Sequence, residues 1–325
     1  MAARRNKYRS RAFIVCIALL VCVLNSGVTS AQTDGIYSQY MHMRHFYNPA
    51  AVGEQGMMKI LLAQRLQWIG ITNAPKTTYF TTSLPFDVKK TSHAVGIQFI
   101  SDIYGIFANQ QIFAQYNYKF KFKYGTLSIG ANVGVVNMIC YGDSVHMVES
   151  EYHTSGDPAV PTGKQSGTTF DCGAGVYFNA ANWYAGISVL HLPGANIQLG
   201  DKYYYKLGQT MAFVGGYDFT LKDKRYKLKP SVLIYTDFAS WQAHLSLLLS
   251  YNDKYWGGLS YSIQNAISFQ FGAEVYDGIV IGYCYDLPAS QLIRATHGSH
   301  ELYLSYDFNV FKPKANNKHK SIRIL

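Results

Sequence analysis

Charge is the first thing this 325-residue chain is short of: Asp, Glu, Lys and Arg make up 15% of it, against roughly 25% in an ordinary soluble domain. Cysteine is scarce as well. Two of the five lie in an apolar run near the start, and the remaining Cys140, Cys172 and Cys284 can form one pair at most, which excludes a disulfide-built fold. Long apolar runs are missing too. The longest, residues 12–24, has 13 residues, short of the roughly 20 that a membrane-crossing helix needs. The absence of a short repeat excludes collagen and coiled coil, and 48% hydrophobic residues exclude disorder. No glycine-rich phosphate loop or dinucleotide fingerprint occurs, and no Ser, His and acid set has the spacing of a catalytic triad. Neither an enzymatic activity nor a cofactor is expected.

The net charge of +10 sits at the two ends. Residues 1–31 carry five basic groups and no acid, and residues 312–325 carry Lys312, Lys314, Lys318, Lys320 and Arg323. The body between them holds 19 basic and 19 acidic residues and is neutral. A nucleic-acid-binding domain carries its positive charge on a folded face, so nucleic acid is not an expected partner. The basic start, the apolar run and the small residues Thr29-Ser30-Ala31 read as a secretory signal cleaved after Ala31. Cys16 and Cys22 each follow a Val where lipoprotein processing wants a small residue.

What is present in abundance is aromatic side chain and period-two alternation. The chain holds 27 Tyr, 18 Phe and 4 Trp, residues suited to surfaces that are neither fully dry nor fully wet. Leu302, Leu304, Tyr306 and Phe308 alternate with Tyr303, Ser305 and Asp307, and Ile267, Phe269, Phe271, Ala273 and Val275 with Ser268, Gln270, Gly272 and Glu274. Each such segment has one greasy face and one small, polar face. The segments run to about 10 residues, the length of a tilted membrane strand. Aromatics gather near their ends, at Tyr116, Tyr118 and Phe120, at Tyr203, Tyr204 and Tyr205, at Tyr255 and Trp256, and at Tyr283 and Tyr285, as an interfacial girdle requires.

The expected fold is therefore all-β, a closed antiparallel outer-membrane barrel, because an open edge in hydrocarbon leaves backbone groups unsatisfied. About fourteen strands are predicted, at 58–70, 77–84, 93–101, 109–121, 125–138, 168–178, 182–191, 206–218, 228–238, 240–251, 254–263, 266–275, 278–286 and 300–309. The expected organisation is a signal peptide over 1–31, a periplasmic or plug segment over 32–56, the barrel over 57–311 and a basic periplasmic tail over 312–325. If the first strand rises from the periplasm, 139–167, 192–202 and 287–299 become outer loops and most of the opposite turns are short.

Candidate functional residues are few. Asn48-Pro49 initiates a turn, and Pro49 biases Asn48 away from helix, so the segment is expected to enter the barrel as an extended or turned plug, either a strand-leading turn that merely seals the periplasmic mouth or a gate that moves when a partner docks, the former being the preferred reading. His42 with His45, and His297 with His300, lack the further ligands a metal would need, and Asp143, Glu149, Glu151 and Asp157 read as a solvated acidic loop. The basic tail reads equally as a solvated terminus that only marks topology or as an arm for a periplasmic partner or anionic headgroups, and Lys222, Lys224, Arg225 and Lys227 form a second basic cluster expected on the same side, which makes a periplasmic partner surface the working expectation.

The mature start Ile36-Tyr37-Ser38-Gln39-Tyr40-Met41, followed by Tyr47-Asn48-Pro49-Ala50-Ala51-Val52-Gly53, resembles the opening signature of the PorP/SprF family of the Bacteroidota type IX secretion and gliding machinery. Gln64-Arg65-Leu66-Gln67-Trp68-Ile69-Gly70, Ala74-Pro75, and Ser101-Asp102 with Gly105 are similar to its next blocks. Ile281-Gly282-Tyr283-Cys284-Tyr285-Asp286 and the run from Gly298, His300 and Glu301 to Phe308 resemble its closing hairpin. The basic tail is longer than that family's pattern. The resemblance implies a component of that machinery in the outer membrane, linking exported proteins to periplasmic parts. The barrel alone implies a different reading, a channel or small-molecule transporter.

Overall fold

Alternation of period two puts successive side chains on opposite faces of a strand, so a chain built of such segments must close into a cylinder or leave an edge. A computed structural model describes residues 35–144, 163–200, 203–263 and 265–310. The signal region, the tail with its Lys312, Lys314, Lys318, Lys320 and Arg323, and Glu149, Glu151 and Asp157 lie outside the described residues. The strands are β1 (Met58–Leu66), β2 (Lys76–Val88), β3 (Thr91–Tyr104), β4 (Phe107–Phe122), β5 (Gly125–Tyr141), β6 (Lys164–Ala180), β7 (Trp183–Leu190), β8 (Asn196–Leu199), β9 (Tyr203–Lys206), β10 (Thr210–Tyr217), β11 (Phe219–Thr220), β12 (Tyr226–Thr236), β13 (Trp241–Tyr251), β14 (Tyr255–Ser262), β15 (Ala266–Tyr276), β16 (Ile279–Pro288) and β17 (Ser299–Phe308).

Fourteen of them form one closed antiparallel meander. β1 to β7 pair in succession, β7 pairs with β10, β10 with β12, and β12 to β17 continue in order. The cylinder closes where β1 meets β17, in a register from Met58 opposite Phe308 to Leu66 opposite His300. β11 prolongs the β10–β12 hairpin, and β8 with β9 forms a separate small hairpin.

The barrel is inside out relative to a soluble sheet. On β15, Phe271 is 59% exposed while Gln270 beside it is 2% exposed. Leu245, Leu247 and Leu249 face outward, whereas His244, Ser246 and Ser250 are buried. No helix among the described residues is long and apolar enough to cross a membrane, so crossing falls to the strands, whose paired backbones satisfy themselves.

The two rims differ. At one, where β1 starts and β17 ends, the connections are brief: two residues join β2 to β3, β4 to β5, β6 to β7 and β15 to β16. In the β13–β14 turn, Asn252 and Asp253 adopt left-handed backbone (φ 53° and 54°), which Asn and Asp tolerate better than most residues. At the other rim stand the longer connections 67–75, 142–163, 191–209 and 289–298. Outer-membrane barrels keep short turns in the periplasm and longer loops outside, which is the arrangement the expected sidedness calls for.

Several local expectations need correction. The strand predicted at 206–218 starts only at Thr210, because Leu207 turns inward into a cluster with Phe113, Val136, Met138, Ile197 and Leu199. Tyr203, Tyr204 and Tyr205 lie on the β8–β9 hairpin rather than in a girdle, with Tyr203 and Tyr205 packed against that cluster. Trp256 points into the lumen, where its ring lies 5.1 Å from that of His42. Cys140, Cys172 and Cys284 are all free thiols, within the expected limit of one pair at most.

Candidate functional site

The lumen is filled by the chain's own amino-terminal segment, residues 35–56. Three helical turns shape it: Tyr40–His42, Arg44–Tyr47 and Pro49–Ala51. Pro49 needs no amide hydrogen at the first position of its turn, and the Asn48 side chain caps it by accepting from the Ala50 amide at 2.9 Å. Tyr37, Tyr40, Met43, Phe46 and Tyr47 are buried, and they form one apolar core with inward-facing wall residues such as Leu61, Tyr79, Leu233 and Tyr235.

Polar contacts reach the wall on every side. Asn48 donates to the backbone carbonyls of Val176 on β6 and Ile187 on β7, at 3.0 and 3.2 Å. Asn117 donates to the carbonyls of Ala50 and Val52, and Gln115 to that of His45. Ser188 donates to the Tyr47 carbonyl at 2.6 Å, and the Tyr40 hydroxyl lies 3.0 Å from that of Ser231. Close approach demands glycine at two positions above all. A Cβ on Gly130 would lie 2.7 Å from the Ala50 backbone, and one on Gly175 would lie 2.2 Å from the Asn48 amide oxygen.

Near the long-loop end the segment is held by a buried charge cluster. Arg65 pairs with Glu301, its register partner across the β1–β17 seam, and with Asp286 at 2.9 Å. Glu301 accepts from the Ser38 and Gln39 amides at 2.7 and 3.1 Å, and Ser38 donates its hydroxyl to Asp286 at 2.8 Å. The Tyr37 hydroxyl donates to the Thr77 carbonyl, and Thr77 in turn donates to Asp102 at 2.6 Å. Toward the short-turn end, Arg44 pairs with Glu54 at 3.0 Å, donates to the Tyr177 hydroxyl and stacks 4.1 Å over the Tyr184 ring. Lys119 donates to the Gly53 carbonyl.

The residues singled out by motif are thus strung along the lumen rather than gathered in one pocket. Tyr37, Gln39, Asp102 and Glu301 lie near the long-loop end, Tyr40, Asn48 and Pro49 lie within the lumen, and Gly53 lies near the short turns. Trp68, Gly105, Gly298 and His300 shape the long-loop rim. Trp68, Gly105 and Gly298 have left-handed backbone, Trp68 donates its amide to the Ser299 hydroxyl, and His300 meets the Tyr283 hydroxyl at 2.6 Å. His42 and His45 pack against aromatic rings, His42 between Trp256 and Tyr303 and His45 against Tyr79. Of the acidic loop, Asp143 accepts from the Gly163 amide.

The basic cluster lies in and beside the β11–β12 turn on the short-turn rim, and half of it is paired. Arg225 binds Asp223 at 2.7 Å and Lys227 binds Asp253 at 2.6 Å, while Lys222 and Lys224 are exposed. The hydrogen bond from Arg225 holds the Asp223 carboxyl below its ordinary value. Burial pushes Asp253 the other way, but Lys227 and Lys229 outweigh it and keep that carboxyl low as well. Sequence reasoning missed Lys89, Lys90, Lys121 and Lys123, which the barrel brings to the same rim from two neighbouring turns. They are too dispersed along the chain to register as a charge run. It also missed the buried Asp171–His191 pair, 2.5 Å apart at the root of the 191–209 connection.

An up-and-down barrel with an apolar exterior and a polar interior is an outer-membrane β-barrel, and this protein resides in the outer membrane. Residues 29–306 match the family described as type IX secretion system membrane protein PorP/SprF, and the chain belongs to that family. It is accordingly a component of the type IX secretion machinery. No curated protein matches the chain. Among solved structures it is similar to the Ralstonia pickettii toluene transporter TbuX, at 11% identity and a TM-score of 0.48, covering 86% of this chain and 95% of that one. It is also similar to Acinetobacter baumannii Omp33, at 8% identity and a TM-score of 0.44 over 78% and 98% of the two chains. A Pseudomonas aeruginosa FadL homologue shares 10% identity and a TM-score of 0.44 over 81% and 93%.

Proposed function

We propose that this protein is a non-enzymatic, non-conducting part of the type IX machinery that links secreted substrates or surface proteins to periplasmic components. The observation that carries the reading is the filled lumen: residues 35–56 hydrogen-bond to strands all round the barrel, leaving two rims rather than a pore for partners to use. In this reading Tyr37, Gln39, Tyr40, Asn48, Pro49 and Gly53, with Asp102 and Glu301, keep the lumen shut. Trp68, Gly105, Gly298 and His300 shape the outer rim. The periplasmic partner meets Lys222, Lys224, Arg225 and Lys227, with Lys312, Lys314, Lys318, Lys320 and Arg323 of the tail. The alternative, a channel or small-molecule transporter, requires the segment to leave the lumen.

Comparing the secreted proteome with and without the gene tests the proposal. Loss of a subset of secreted proteins is expected, and an intact profile overturns it. Reversing Lys222 and Lys224 to Glu should lower co-purification with periplasmic components while the barrel still folds.

A further inference from the structure

The segment does more than fill space, because it has a direction. Gly35 lies beside Thr77 and Asp102, at the ends of β2 and β3 that belong to the long-loop rim. Ser38 and Gln39 bind Glu301, two residues from that end of β17. By Arg44 the chain has reached Tyr184, close to the short-turn end of β7. Gly53 sits among Pro85, Ala94 and Lys119, again close to the short turns, and Met58 then opens β1 at that rim. The chain therefore runs the length of the lumen from the outer side to the periplasmic side before its first strand climbs back.

From this we infer that the mature amino terminus faces the cell exterior, and that signal removal must precede filling of the lumen. With cleavage after Ala31, only residues 32–34 precede Gly35. Three residues span at most ~11 Å at 3.6 Å each. The 13 residues of β2, rising about 3.3 Å each at a tilt near 40°, set the rims about 30 Å apart. No conformation of so short a stretch returns the terminus to the periplasm. Around Gly35 and Ile36 the outer rim opens into a cavity of about 650 Å³, walled by Trp68, Asp102, Trp241 and His244 among others. Gly35, the first described residue, lines that vestibule. A precursor still carrying residues 1–31 would have to thread them through the closed barrel, so cleavage is a built-in condition for closure.

The inference rests on the assignment of the short turns to the periplasm, and the test reports on the two separately. Thr33→Cys and Lys224→Cys variants are treated with a membrane-impermeant maleimide on intact cells and again after outer-membrane permeabilisation, against the parent protein as background. Heat-modifiable gel mobility verifies folding. Thr33→Cys should label on intact cells, and Lys224→Cys only after permeabilisation. Labelling of Thr33→Cys only after permeabilisation overturns the inference, whereas labelling of Lys224→Cys on intact cells overturns the sidedness beneath it. An epitope inserted between Ala31 and Gln32 covers the case of a thiol shielded in the vestibule. Antibody staining of intact cells supports an outward terminus, and staining restricted to permeabilised cells, or absent from both, defeats it.

Discussion

Arg65 shows how much a single side chain does here. It sits on the first strand, neutralises Glu301 on the last and Asp286 on the strand before it, and donates to the Ser38 hydroxyl of the lumen segment. Removing one partner of a buried ion pair strands the others without compensation, at a cost of about 3–5 kcal/mol. Arg65→Ala should therefore lower the urea midpoint of the detergent-solubilised barrel and free the segment to proteolysis. A midpoint within error of the parent would show that the cluster is not what holds the seam. The sequence reveals Arg65 only as part of a motif block. Nothing in its spacing announces that positions 65, 286 and 301 meet, because that contact exists only once the cylinder closes. The same holds for Gly130 and Gly175, whose small size reads as part of a polar strand face until Ala50 and Asn48 are seen lying against them.

At the level of elements, the strands were the most legible part of the chain. Alternation of period two is a local property, so residues such as Ile267, Phe269 and Phe271 declare their face without knowledge of neighbours. Less was visible where two environments compete for the same side chain. Tyr203 and Tyr205 could serve a lipid interface or a protein core, and the inward fold of the β8–β9 hairpin decides for the core. The lumen segment was half legible: Asn48-Pro49 marked a turn, but its course through the barrel depends on partners scattered from Thr77 to Glu301. Because its polar groups are met by the wall, deleting residues 36–54 should leave an open lumen in a barrel that still inserts. Cells carrying that variant should become sensitive to large hydrophilic antibiotics, and unchanged sensitivity would mean that another element blocks passage.

For the whole molecule, everything follows from an exterior that only hydrocarbon suits. Leu247, at the middle of β13, is 48% exposed on that face. Leu247→Arg should destabilise the folded barrel in lipid by about 2–4 kcal/mol, as charge at a bilayer midplane does; a neutral result would place water or protein there instead. Strand length, aromatics near strand ends and a polar face of small residues rather than Lys and Glu pointed to this solvent from sequence alone, since alternation by itself suits a soluble sandwich equally well. The expected sidedness rests on loop lengths. The composition of the short-turn rim was not legible, because its lysines come from separate turns and part of their charge is cancelled by Asp223 and Asp253.

We propose that this barrel carries its own amino-terminal segment as a fixed filling and conducts nothing on its own. Single-channel recording of the purified mature protein in a planar bilayer should show a silent membrane; steady open-pore currents from the intact protein would mean that the lumen is open.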